Sequence, residues 1–185
     1  MNQRYTHHDH QSDHGERIAF VQSCWHQDIV DQCRHAFTAE IGKLGFAESR
    51  IDFFEVPGGF EIPLQAKLLA KTGRYAAIVA SGLIVDGGIY RHDFVAEAVI
   101  SSLMRVQLET EVPIISAVLT PQRFHAHEEH QRFFREHFLV KGAEAAAACA
   151  RMIENLRRLR LHQPSPLAGA AQRKGTGPSQ AVKAQ

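Results

Sequence analysis

The chain has 185 residues, 44% of them hydrophobic, and its 21 basic and 20 acidic side chains leave a formal net charge of +1 with histidine neutral. That balance gives no electrostatic reason for a nucleic acid or an anionic membrane to be a partner, and the length predicts one folded domain whose core needs no staples. Cys24, Cys33 and Cys149 form no C-x-x-C pair, no apolar segment reaches the ~18 residues of a membrane span, and the amino end lacks an apolar signal core, so a soluble cytoplasmic protein is expected.

Residues 1–16 are polar and carry His7, His8, His10 and His14 without periodicity, which predicts a disordered arm. Arg17 to Ser23 reads as a first strand, with Cys24, Trp25 and His26 at its carboxyl end. Trp25 is either a flat face for stacking a planar heterocycle or a hydrophobic lid on the next helix. Cys24 and His26 are a poor nucleophile–base pair, because alternate side chains of a strand point to opposite faces. A helix follows over Gln27 to Leu44, with Gly45 placed to stop it. After a second strand, Arg50 to Val56, the segment Pro57 to Pro63 sets two glycines between prolines and leads into a helix through Leu64, Leu68 and Leu69. Glu61 is either a first-turn partner of the helix dipole or a carboxylate that reaches ligand hydroxyls.

Ala76 to Val85 is a nearly unbroken apolar run, as in a parallel strand covered on both faces. Asp86, Gly87 and Gly88 then free the backbone, and a helix is expected to begin near Ile89 or Tyr90 with Phe94, Val95, Ala98 and Val99 on its apolar face. Its first N–H groups, at the carboxyl end of the central strand, form an anion site or else an ordinary strand–helix turn. Val112 to Thr120 is a fourth strand. The order strand–helix, four times over, predicts a three-layer α/β/α sandwich around a central four-stranded parallel sheet. Phe124 to Phe138 is rich in phenylalanine and histidine, but no carboxylate or cysteine completes a recognised metal spacing with His127, His130 and His137, and no metal is expected. A last helix opens at Lys141-Gly142 and runs to about Leu161. Residues 162–185, rich in Pro, Gly, Ala, Ser and Gln, read as a disordered tail, which leaves 17–161 as the folded domain.

Val56 to Pro63 (Val-Pro-Gly-Gly-Phe-Glu-Ile-Pro), Lys71 to Tyr75, Gly87 with Asp93, Leu108 to Pro113, Val118 to Thr120 and Lys141 to Ala146 form an ordered set of motifs. Together they resemble the 6,7-dimethyl-8-ribityllumazine synthase family over about residues 17–160. Trp25 and the Gly87–Asp93 stretch resemble the divergent second-type synthases of some bacteria. The resemblance implies a flavodoxin-like fold and the penultimate step of riboflavin synthesis, in which 5-amino-6-(D-ribitylamino)uracil is joined to 3,4-dihydroxy-2-butanone 4-phosphate without metal or organic cofactor. It implies that Trp25 stacks on the pyrimidine, that Gly59, Phe60 and Glu61 meet the ribityl chain, and that Leu83, Ile84 and Val85 line the ring's polar edge. Gly88 and Ile89 would hold the phosphate. The family's site lies between neighbouring subunits of a pentamer or its multiples, and a neighbour would supply Ser116, Lys141 and a residue from the 127–133 region, where His130 is the best match to a phosphate contact, with His127 and Arg132 nearby.

Three departures from the family pattern stand out. Arg91 aligns with the usual proton-shuttling histidine, and His92 is one residue later. Arginine stays charged at neutral pH and is a poor general base, so His92 is the alternative carrier of that role. Ser116 replaces the neighbour's aromatic, and the 121–140 segment is longer than usual. A paralogue that binds flavin or lumazine without turnover, or builds a shell, is the rival expectation.

Overall fold

The computed structural model describes residues 17–125 and 127–161; the expected arm and tail lie outside the described residues. Four strands, β1 (Arg17–Ser23), β2 (Ile51–Val56), β3 (Tyr75–Leu83) and β4 (Ile114–Leu119), form one parallel sheet in the order β2-β1-β3-β4. Helices α1 (Gln27–Lys43), α2 (Ile62–Lys71), α3 (His92–Thr110) and α4 (Glu128–Leu161) complete the alternation. Ile18 and Phe20 of β1 with Ala77 and Val79 of β3 pack under α1 and α4, while Ala19, Val21, Ile78 and Ala80 pack under α2 and α3. The three-layer sandwich is thus the one that the alternation predicts. Among the described residues no helix is long and apolar enough to cross a membrane.

Two helices depart from expectation. The last helix is not a new element at Lys141-Gly142 but one 34-residue helix from Glu128, with Phe134, Phe138, Gly142, Ala145, Cys149 and Ile153 along a single buried stripe. Gly142 continues the helix because α1 crosses there: an ideal Cβ on it would stand 2.3 Å from the Cys33 carbonyl oxygen and 2.9 Å from the Ala36 Cβ. The third helix begins at His92, not near Ile89 or Tyr90, and buries Ala96, Val99, Leu103 and Val106; of the expected face, Val99 is buried and Val95 packs partly buried against the core, while Phe94 and Ala98 are exposed. In α2, Ile62, Ala66, Leu69 and Ala70 are buried, while Leu64 and Leu68 are exposed.

The amino-terminal edge of the sheet is tied by Asp52. It accepts hydrogen bonds from the Arg17 guanidinium and, at 3.0 Å, from the Tyr75 hydroxyl. The Arg17 hydrogen bond, helped by Tyr75 and the nearby arginine charges and opposed by burial, holds the Asp52 carboxyl below its ordinary range.

Two outcomes are expected from urea unfolding at fixed protein concentration. Gly142→Ala should cost about 2 kcal/mol by forcing α1 and α4 apart, although alanine is the better helix former; a variant as stable as the parent would contradict that packing. Asp52→Asn should cost about 2 kcal/mol at neutral pH. Because the folded pKa is depressed, Asp52's contribution is complete above its unfolded value of about 4 and is lost as pH falls through the folded value, so the variant's stability should vary less with pH on the acid side.

Candidate active site

The carboxyl ends of the strands carry a cleft of about 490 Å³. Its first wall comes from β1. The Cys24 N–H donates to the Val56 carbonyl at 2.9 Å, which extends the β1–β2 ladder by one residue. The chain then reverses at His26, whose backbone is left-handed (φ 53°) and whose carbonyl accepts the N–H groups of Ile29 and Val30. This tight start to α1 throws Trp25 outward, and its indole is 64% exposed at the cleft's edge. Trp25 is therefore not a lid sealed into the core.

The second wall is the β2–α2 turn. The Gly58 N–H donates to the Glu61 carboxylate at 2.9 Å, so the side chain caps its own turn. Gly59 passes so close to β3 that an ideal Cβ would lie 3.1 Å from Ile84 Cγ1. Phe60 stands out beside them, 65% exposed. The floor is Leu83, Ile84 and Val85, with the Ile84 N–H bonded to the Leu119 carbonyl at 2.9 Å. Trp25, Gly59, Phe60, Glu61, Leu83, Ile84 and Val85, singled out from the sequence, thus come together on one cleft.

A second cavity of about 610 Å³ adjoins it, lined by Gly88, Ile89 and Arg91 together with Asp86, Asp93 and Gln122. Tyr90 and His92 line both cavities. Here the expected anion site takes another form. The helix starts at His92 after an extended Arg91, so Gly88 and Ile89 do not belong to its first turn. The Gly88 N–H donates to the Asp86 carboxylate at 2.9 Å, with Gly88 at φ 75°. Asp93 lies in the first turn of α3, where the hydrogen bond and charge of the Arg91 guanidinium, opposed by desolvation, hold its carboxyl below the ordinary range. Arg91 donates to Asp93 at 2.9 Å and lies 4.1 Å over the Phe94 ring. Both carboxylates occupy donors that an incoming anion would compete for.

Ser116, His130 and Lys141 line neither cavity. Ser116 is exposed on the edge strand β4, and its hydroxyl accepts the Val118 N–H at 3.4 Å. His130 accepts the His125 N–H on Nδ1 at 2.9 Å and packs against Phe134. Lys141 pairs with Glu144 at 2.6 Å. The Cys24 thiol is pushed up by burial and by the charges of Glu55 and Asp31, while the His26 ring lies 4.9 Å from that of Phe124, so no activated thiol arises there. Gly58, Tyr90, Val95 and Gln122 line the cavities but were not singled out from the sequence; for Tyr90 the available signal was an aromatic inside the glycine-rich turn.

The family model described as 6,7-dimethyl-8-ribityllumazine synthase matches residues 15–157. The chain is 66% identical over 145 residues to 6,7-dimethyl-8-ribityllumazine synthase 2 of Pseudomonas syringae pv. tomato, covering 78% of this chain and 85% of that one. It is 61% identical over 145 residues to the 6,7-dimethyl-8-ribityllumazine synthase of Rhodococcus erythropolis, covering 78% and 94%. With 6,7-dimethyl-8-ribityllumazine synthase 2 of Bradyrhizobium diazoefficiens the identity is 60% over 149 residues, covering 78% and 87%. Matched along the whole sandwich and through both walls of the cleft, the chain belongs to the 6,7-dimethyl-8-ribityllumazine synthase family.

Proposed function

We propose that this chain condenses 5-amino-6-(D-ribitylamino)uracil with 3,4-dihydroxy-2-butanone 4-phosphate to 6,7-dimethyl-8-ribityllumazine, releasing phosphate and water. The observation that carries this is the pair of adjoining cavities, one with an exposed indole and a backbone-lined floor, the other with Arg91 and the Gly88 amide. The first suits a flat pyrimidine with a polyol chain laid along Gly59, Phe60 and Glu61. The second suits the phosphorylated four-carbon fragment, whose phosphate replaces the Asp86 carboxylate at Gly88 and Ile89. Held side by side, the two substrates react with the advantage of proximity, a contribution of several kcal/mol, roughly 7–11 in well-oriented cases.

His92 is assigned the proton transfers. It lines both cavities, whereas the Arg91 guanidinium is tied to Asp93 and Phe94 on the phosphate side. Imidazole exchanges protons near neutrality and guanidinium does not. Arg91 then neutralises the phosphate and the charge it carries away. This division of labour removes the reason for a binding-only paralogue, which rested on arginine at 91.

The site is completed by a neighbour in a homopentamer or a multiple of it. In support, Ser116, His130 and Lys141 lie away from the cleft of their own chain, and α2 and α3 leave Leu64, Leu68, Met104 and Leu108 exposed, an apolar surface suited to burial between subunits. Residues 17–161 are the catalytic domain, and the enzyme works in the cytoplasm.

Purified protein supplied with both substrates should form the lumazine well above the uncatalysed rate; no excess at saturating concentrations would refute the assignment. His92→Ala should lower kcat by roughly 100-fold. Arg91→Ala should mainly raise KM for the butanone phosphate. Equal loss of kcat in both variants would contradict the division of roles. Light scattering should give a pentamer or a multiple of it.

A further inference from the structure

We propose that Tyr90 is a substrate-contacting, specificity-determining residue: its ring forms the wall that faces Trp25 across the cleft and encloses the second face of the bound pyrimidine. This rests on the proposed function above. Tyr90 shares the cleft with Trp25 and is, with His92, one of the two side chains common to both cavities. It is 72% exposed, and among the described residues its ring packs on no other ring and its hydroxyl has no hydrogen-bond partner. An aromatic left in water at the mouth of an apolar cleft gains most when a flat ligand arrives, because stacking and desolvation then act together.

The backbone around it belongs to neither strand nor helix. Tyr90 lies in the segment between β3 and α3 that has no regular structure, two residues after Gly88 with its positive φ. The ring is therefore carried on a turn rather than on the sheet. From there it closes on a ring stacked against Trp25, while its other side borders the phosphate cavity. The same wall holds the two substrates in register, with His92 at the junction.

The test titrates the intact chain with 6,7-dimethyl-8-ribityllumazine and follows the fluorescence of Trp25, the chain's only tryptophan. Tyr90→Ala should raise Kd about tenfold, Tyr90→Phe should stay within twofold of the parent, and in turnover Tyr90→Ala should raise KM for the pyrimidine but not for the butanone phosphate. The proposal is overturned if Tyr90→Ala binds as the parent does, or if Tyr90→Phe is as weak as Tyr90→Ala, which would assign a hydroxyl contact. It is equally overturned if Tyr90→Ala changes the oligomeric state by light scattering, which would place Tyr90 in a subunit contact. Normal binding by the parent with no effect of Tyr90→Ala removes only this residue's role. Absence of saturable quenching in the parent removes both this role and the proposed function.

Discussion

The cleft exists because backbone meets side chain without an intervening Cβ. At Gly59 an added methyl would stand 3.1 Å from Ile84 Cγ1 and would need the Ile84 side chain to give way by a few tenths of an ångström, so glycine lets the β2–α2 turn lie flat against the end of β3 undisturbed. Glu61 holds that turn by capping the Gly58 N–H, and the β1–β2 ladder, extended through Cys24, sets Trp25 opposite. Three consecutive strands of the sheet, β2, β1 and β3, thereby each place one wall. A shift in register of any of them would separate the indole from the floor, since side chains alternate between faces along a strand.

The opposite end of the sheet keeps that register. Asp52 draws Arg17 of β1 and Tyr75 of β3 onto β2 at the amino-terminal edge, and the buried contact of Gly142 with α1 clamps the outer layer. Stabilising contacts and the candidate site thus lie at opposite ends of the strands, and open parallel sheets bind ligands at the carboxyl ends. The loops at the carboxyl ends can then carry exposed rings, Trp25, Phe60 and Tyr90, that a core would not tolerate in water.

The strands and much of the cleft were legible in the sequence because they depend on local chemistry. The apolar run Ala76 to Val85, closed by a glycine turn, reads as a strand covered on both faces, which β3 is, and the Gly58-Gly59 turn with Glu61 caps itself. What was not legible depends on distant partners. The start of α3 slipped from Ile89 to His92 because Asp86 bonds the Gly88 N–H and Arg91 is extended, and neither changes the hydrophobic period. Gly142 was read at the opening of a helix, where a poor helix former is tolerated, and only the approach of α1 explains it mid-helix. Phe94 was placed on the apolar face of α3 although it is exposed, because a hydrophobic period read from sequence does not fix how far a helix is turned against the sheet.

The most direct measurement is the position of the pyrimidine in a crystal of the chain grown with 5-amino-6-(D-ribitylamino)uracil and inorganic phosphate. The account predicts the ring stacked on the Trp25 indole, the ribityl chain along Gly59 to Glu61, and phosphate beside Gly88 and Ile89 with Asp86 displaced. A ring bound elsewhere, or an indole turned away from an occupied cleft, would contradict it.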